Sequence, residues 1–445
     1  MMANVHLCLL FAGLCAFTYA HYITGHHEEH VHQYDPHPSA EGHQRSKNEI
    51  CQKIFAGSAD FAFKLYHQAA LEDPGKNIFF SPLSIFTVLA MVSLEAKSAT
   101  ANQLFSVLGL NHSEMNEQEI HECFHHLFQM MNRNNSDIEL RIGNVLFIDN
   151  KWQPQAKFLH DSKLYYQAEV LPIDLKNWTE AQAQIQSYLK KKTQGKLVDV
   201  IRGLDPEDGI FLVNYIIMKV SWENPFSLLN AQENLFFVDE DTTVKVDMME
   251  EEGYFRSYYD KRLFCEVVEI PYKGNVSALF ILPEQGKLKL VEEAFREEIL
   301  LKWKGLLKLR RRSVSLPKTS ISESYDITEV LKNLGVTDLF KERAEQSGIT
   351  GEHELEAIQK DHLNFHENGT EAAATTDNEA IDKAVLDLHE GGTETASTTT
   401  FENMPLSAGT SLDETSDLDF DRPYLMVIFD YSTRSMLFIG KMRKP

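Results

Sequence analysis

Histidines crowd one early stretch of the chain, at His21, His26, His27, His30, His32, His37 and His43. Imidazoles at this density can close around Zn²⁺, Ni²⁺ or Cu²⁺ as the chain folds about the ion. His26, His27, His30 and His32 are the candidate ligands of a divalent metal. Their spacing matches no fixed structural site, so a solvated polar tail is the simpler account. Cys123 with His125 and His126 is a second grouping, on an early amphipathic helix. Surface histidines beside a half-buried cysteine explain it better than a metal does. Lys302, Lys304, Lys308, Arg310, Arg311 and Arg312 form the basic cluster of an otherwise acidic chain. That local charge could attract a heparin-like sulfated polysaccharide; solvated surface charge is the plainer reading.

A duplication carries more information than any of these groups. Residues 356–376 read EAIQKDHLNFHENGTEAAATT, and residues 379–399 read EAIDKAVLDLHEGGTETASTT. The offset is a constant 23 residues and 13 of 21 positions are identical, where composition alone would give about one or two. Each copy is an apolar run, a His-Glu, a glycine turn, and a Thr-Glu followed by small residues. In an extended segment alternate side chains share a face. Thr393, Thr395, Ser397, Thr399 and Phe401 then line one uncharged face, with Glu394 and Glu402 on the other. Lys383-Ala384-Val385-Leu386 of the second copy is a better strand than Lys360-Asp361-His362-Leu363 of the first. The first copy also carries an Asn-x-Thr acceptor at Asn368, and a glycan there could not be buried. The expectation is that the second copy is a sheet strand and the first an exposed insertion.

The elements that must position these segments follow from the rest of the chain. Its 445 residues are 43% hydrophobic, enough for a large core. A formal charge of −23 argues against nucleic acid as a main partner. Residues 1–20 read as a cleaved secretory signal: an apolar run from Leu7 to Phe17 ends in small residues at Thr18 and Ala20. No later run is long enough to cross a membrane. Residues 21–49 read as a disordered His-rich tail, with order beginning near Ile50. Beyond the signal stand Cys51, Cys123 and Cys265, an odd number, so at most one disulfide forms. Acceptors for N-glycosylation stand at Asn111, Asn134, Asn177, Asn275 and Asn368, as suits a secreted chain.

Helices are expected over Ala59–Leu71, Leu83–Leu94, Ala181–Lys192 and Leu288–Trp303. Strands are expected over Arg141–Asp149, Phe211–Val220, Leu263–Pro271 and Ser277–Pro283. Leu412–Asp421 reads as an acidic loop, and Tyr424–Tyr431 with Ser435–Lys441 as a final hairpin. Met248-Met249 is core packing. Helices early and strands late predict an α+β fold.

Short motifs in order then carry a resemblance: NIFFSPLS at 77–84, TQGKLVD at 193–199, LVNY at 212–215, TTVKVDMM at 242–249, YKGNVSALFILPE at 272–284, SLPK at 315–318, FDRPY at 420–424 and FIGK at 438–441. The chain resembles the serpins, most closely the antitrypsin-like secreted group, over roughly residues 50 to 445. That resemblance implies a single α+β domain with three β-sheets and about nine helices, monomeric and without a cofactor. It implies a reactive loop, about residues 390–419, offered as bait to a protease. The cut loop would insert as a new strand into the main sheet while still bound to the protease. The resemblance thus implies a serine protease inhibitor that acts as a suicide substrate and is no enzyme: it supplies the carbonyl and the target supplies the nucleophile.

By that likeness Glu390, Gly391, Gly392, Thr393, Glu394, Thr395, Ala396 and Ser397 form the hinge, and Leu406-Ser407 the scissile bond. A leucine suits the apolar pocket of chymotrypsin- or elastase-like proteases rather than a trypsin pocket built around a carboxylate. Ser81, Ser84 and Asn214 match the shutter beneath the sheet. Inhibitory members prefer Ala at the position of Thr395, and they place a His where the two copies have Gln359 and Asp382. Close relatives that carry steroid or thyroid hormones give the alternative function of hormone carrier. A storage or metal-binding role through the His-rich tail is a third.

Overall fold

In the computed structural model the described residues are 40–445, except 73, 95, 97, 111–114, 135–137, 152, 194–209, 327, 338–363, 369–370, 378–380 and 389–416. Residues 47–445 are one compact unit. Helix α1 (Ala40–Glu72) buries Cys51, Ile54, Phe55, Phe61, Leu65 and Tyr66. It begins ten residues before Ile50, so residues 40–49 are helical rather than part of a tail. Once the packed portion has nucleated, each added turn gains hydrogen bonds at small cost, and the segment 40–49 contains no proline to stop it. The signal and the histidines His26, His27, His30 and His32 lie outside the described residues.

After β1 (Ile78–Phe80), Ser81 caps α2 (Pro82–Val92) by accepting a hydrogen bond from the Ser84 N–H, with Pro82 at the first helical position. Pro82 through Met91 are all buried. Next come α3 (Ser98–Val107), α4 (Glu117–Met131), β2 (Arg133–Asn134), β3 (Ile138–Asp149), α5 (Ala156–Tyr166), β4 (Glu169–Ile173), α6 (Trp178–Lys192) and β5 (Ile210–Val220). The strands β3 and β5 pair antiparallel from Ile138↔Val220 to Ile148↔Ile210. Alternation divides their side chains. Leu140, Ile142, Leu146, Leu212, Ile216 and Met218 join the main core. Val145, Phe147, Val213, Tyr215 and Ile217 face a second apolar cluster with Ala181, Ile185 and Leu189 of α6. Gly143 has no alternative here, because a Cβ would stand 2.4 Å from the Tyr215 ring.

The second half supplies β6 (Ser227–Phe237), β7 (Thr243–Asp260), β8 (Cys265–Tyr272), β9 (Val276–Pro283), α7 (Leu288–Ala294), α8 (Glu297–Leu306), β10 (Lys308–Pro317), β11 (Thr319–Asp326) and α9 (Thr328–Asn333). The expected single helix 288–303 is therefore two. The backbone turns extended at Phe295, which lets that ring bury fully against Phe63, Tyr66 and Trp303. Then follow β12 (Asn364–Asn368), β13 (Glu371–Asp377), β14 (Ile381–Leu388), β15 (Asp417–Asp419), β16 (Tyr424–Asp430) and β17 (Ser435–Met442). Part of the expected acidic loop is thus strand β15, parallel to β10: Leu418 and Phe420 are buried while Asp417 and Asp419 point outward.

Among the described residues, nine α-helices stand with three hydrogen-bonded sheets, the α+β architecture that was expected. A nine-stranded sheet runs β1-β17-β16-β9-β8-β7-β10-β15, with β6 on β7. Within it Met248 and Met249 are buried, as expected. Phe79 and Phe438 stack at 5.3 Å, and Gly440 admits β1 closely, since a Cβ there would meet the Ile78 carbonyl at 2.6 Å. Lys441 is fully buried; its ammonium lies 3.1 Å from Glu292, which also accepts from the Tyr66 hydroxyl at 2.9 Å.

Cys51 and Cys123 form a disulfide across 72 residues, tying α1 to α4. In the chain-entropy view such a link stabilises by about 4 kcal/mol. Cys123 is thus fully buried and bonded, not a half-buried thiol, and His125 beside it bonds the Leu164 carbonyl at 2.6 Å. Cys265 is free and buried; burial, then the negative charges of Asp260 and Glu266, push its thiol up to about 12. Ellman's reagent should therefore find no reactive group among these three cysteines in the native protein and one after unfolding; a native reaction would refute this assignment.

Burial opposes the charge of Asp260, but Lys302 Nζ at 2.8 Å, Trp303 Nε1 at 3.0 Å and the Arg262 N–H at 2.9 Å overcome it and hold the carboxyl down at about 2. A carboxyl depressed on folding stabilises above its unfolded value of about 3.9 and loses that contribution as pH falls toward 2. Asp260→Asn should lower stability at neutral pH and flatten the decline between pH 4 and 2, read by urea unfolding at stepped pH.

Candidate functional site

The second copy of the repeat supplies a strand, as expected, but in a two-stranded sheet rather than in the larger sheet that holds β5. Its segment Ile381–Leu388 forms β14, antiparallel to β11, with Leu386 opposite Ile321 and Asp382 opposite Tyr325. The chain is next described at β15, in the nine-stranded sheet. Residues 389–416 between them hold the expected hinge, Glu390 to Ser397, and the expected bond Leu406-Ser407; all lie outside the described residues.

The first copy departs from expectation. Rather than an exposed insertion it makes a hairpin, β12 with β13, and β13 pairs antiparallel with β5 through Glu371↔Lys219 and Ala372↔Met218. Its Glu-Ala-Ala-Ala-Thr-Thr run is short, uncharged after the first residue and free of proline, so an edge strand can accept it. Asn368 ends β12 at the hairpin turn.

Of the residues expected at the shutter, Ser81 caps α2, Ser84 lies in its first turn, and Asn214 lies on β5. Helix α2 packs against both β5 and β13. Ser81, Ser84 and Asn214 are all buried. Asn214 Nδ2 donates to Asn144 Oδ1 at 2.8 Å, and Asn144 Nδ2 donates to the Tyr166 carbonyl at 2.7 Å. The chain of bonds links β5, β3 and the end of α5. Ser84 Oγ, Thr87 Oγ1 and Asn214 Oδ1 have no protein partner among the described residues.

The remaining candidates are dispersed. Asn134, Asn177 and Asn275 are exposed, while Asn111 falls outside the described residues. The basic cluster is less free than it reads: Arg312 is buried and bonds Ser257, and Arg311 pairs with Glu252, leaving Lys308 and Arg310 exposed. Lys304 stands apart, 3.3 Å over the Phe429 ring and 4.8 Å from that of Tyr431. Burial pushes its ammonium down to about 8. It lines a cavity of about 920 Å³ with Tyr254, Arg256, Glu269, Leu309 and Tyr431. Sequence reasoning missed this cavity because no motif marks it: its walls come from β7, β8, α8, β10 and the turn after β16.

Comparison with known proteins accords with this geometry. A family model described as serpin, serine protease inhibitor, matches residues 56–445. The chain belongs to the serpin family, in its antitrypsin-like group. It is 38% identical to horse (Equus caballus) alpha-1-antiproteinase 2 over 462 aligned positions, covering 100% of this chain and 99% of the relative. It is 38% identical to human kallistatin, covering 99% and 98%. A solved structure of human thyroxine-binding globulin, complexed with thyroxine, aligns with a TM-score of 0.76 at 35% identity, over 89% of this chain and 99% of that one.

Removing Asn214 would strip Asn144 Oδ1 of its donor. An orphaned buried acceptor costs about 1–3 kcal/mol. Asn214→Ala should lower unfolding stability by about that much in urea, and a loss under ~0.5 kcal/mol would show the bond to be dispensable.

Proposed function

We propose that this serpin is a secreted, non-enzymatic bait for chymotrypsin- or elastase-like serine proteases, cut between Leu406 and Ser407. The observation that supports it best is the placement of the second copy as β14. Gly391 and Gly392 then follow directly on a sheet strand, and counting forward as in the antitrypsin-like group reaches Leu406. The target's serine attacks the Leu406 carbonyl and the leucine side chain fills its apolar pocket. The hinge, Thr393 to Thr399, is the segment that would enter a sheet. Trapping the protease requires that this segment find an open strand edge before water cleaves the acyl-enzyme.

The second reading is a hormone carrier. The likeness to thyroxine-binding globulin favours it, as does a cavity whose walls combine tyrosine, leucine and a buried ammonium. Metal binding by the tail is a third role, carried by the sequence alone.

Incubation with chymotrypsin and with neutrophil elastase, followed by intact-mass analysis, separates the first two readings. The expected product is cut between Leu406 and Ser407, and Leu406→Arg should transfer that cut to trypsin. Cleavage confined to other bonds, with saturable thyroxine or steroid binding, would replace the bait reading with the carrier.

A further inference from the structure

Strand β5 has a neighbour on each edge. At Met218 and Lys219 one edge pairs with Leu140 and Glu139 of β3, and the other with Ala372 and Glu371 of β13. On its far side β13 is held by β12, from Asn364↔Asp377 to Asn368↔Ala373. The strand lying on β5 therefore comes from the first copy of the repeat. At the offset of 23, Glu371–Thr376 are the counterparts of Glu394–Thr399, the segment meant to insert. Backbone pairing along an edge admits one strand at a time. An edge that accepts one copy is an edge suited to the other.

We propose that the first copy is a built-in competitor, whose β12–β13 hairpin holds the edge of β5 and keeps the 393–399 segment out. This rests on the bait reading of Leu406-Ser407 and adds its regulation. Three features favour the hairpin over the loop. It arrives with its partner strand already paired, so β13 has a bonded neighbour on both edges while it lies on β5. It is joined to β14 through residues 378–380 alone, which holds it permanently near the sheet. And it presents Ala372-Ala373-Ala374 where the loop presents Thr395-Ala396-Ser397, so it brings two fewer hydroxyls that would need a partner on burial.

The consequence for a protease follows step by step. Its serine oxygen bonds to the Leu406 carbonyl carbon, the bond to Ser407 breaks, and the Ser407 nitrogen leaves with a proton. With β13 on Met218 and Lys219, the cut loop cannot start its pairing at that end of the edge. Water then attacks the ester, releasing the Leu406 carboxylate and the intact protease. While the hairpin stays, the chain is a substrate; once it leaves, the same cut can end in a trap.

The test compares the full chain with a variant lacking residues 356–378, which restores a single copy, and with Ala372→Pro, which removes a backbone donor from β13. Each is treated with chymotrypsin and given a synthetic peptide of residues 390–402. The full chain should be cleaved without a denaturation-resistant complex and should not take up the peptide in native mass spectrometry. The deletion variant and Ala372→Pro should bind peptide, and at least tenfold more of the protease should end in covalent complex. Amides of 371–377 should exchange slowly in the full chain and quickly in Ala372→Pro. Equal peptide uptake by full chain and deletion variant, or fast exchange at 371–377 in the full chain, would overturn the proposal. A wrong cut position in both proteins would sink the bait reading alone, because peptide uptake and exchange report the edge without any cleavage.

Discussion

A β-strand has two edges, and each edge satisfies its N–H and C=O groups against one neighbour. The six-stranded sheet is organised by that limit at β5. One edge is taken by β3 along eleven residue pairs, from Ile138↔Val220 to Ile148↔Ile210. The other is taken, near its end, by β13. The faces of β5 are equally committed: Leu212, Ile216 and Met218 to the main core, Val213, Tyr215 and Ile217 to the cluster under α6. Asn214, between them, ties the strand to Asn144.

The polar groups under the sheet are unevenly matched. Asn214, Asn144 and the Tyr166 carbonyl form a fixed chain, whereas Ser84 and Thr87 offer hydroxyls that the described residues leave unmatched. Elsewhere buried charge is matched closely. Lys441 meets Glu292, and Asp260 meets both Lys302 and Trp303. Burying a charge is costly unless it is paired and hydrogen-bonded. Buried oxygens without a protein partner among the described residues stand at Ser84, Thr87 and Asn214, where α2 meets β5, and also away from it at Tyr272 and Tyr424.

Much of this was legible in the sequence, for physical reasons. Alternation and apolar runs located β3, β5, β8, β9 and the β16–β17 hairpin, because side-chain period follows directly from strand geometry. Ser81-Pro82 marked the start of α2 through capping chemistry. The odd cysteine count limited the chain to one disulfide but could not choose the pair, since sequence separation says nothing of which sulfurs meet. The break at Phe295 was hidden: helical spacing continues through it, and only the vacancy between Phe63, Tyr66 and Trp303 draws the ring inward. The strand at 417–419 was hidden because its aspartates read as loop, whereas every second residue there is apolar and buried. The duplication was plain, and the second copy fell where its composition put it. The first copy's place beside β5 was not readable, because pairing depends on which edge lies free, a property of the assembled sheet. The Lys304 cavity was invisible for the same kind of reason, its walls coming from four elements and a turn spread between residues 254 and 431.

The position of β17 bears on how the protein is made. The last strand of the chain does not close the nine-stranded sheet from outside; it lies between β1 and β16, with Ile78 opposite Lys441. Until residues 435–442 have emerged from the ribosome, β1 has no partner and α2 lacks part of the surface it packs on. Early apolar segments such as Phe79-Phe80 and Leu83–Met91 must wait for a strand more than 340 residues further along the chain. Long waits of this kind favour aggregation, and they make folding dependent on assistance to the nascent chain.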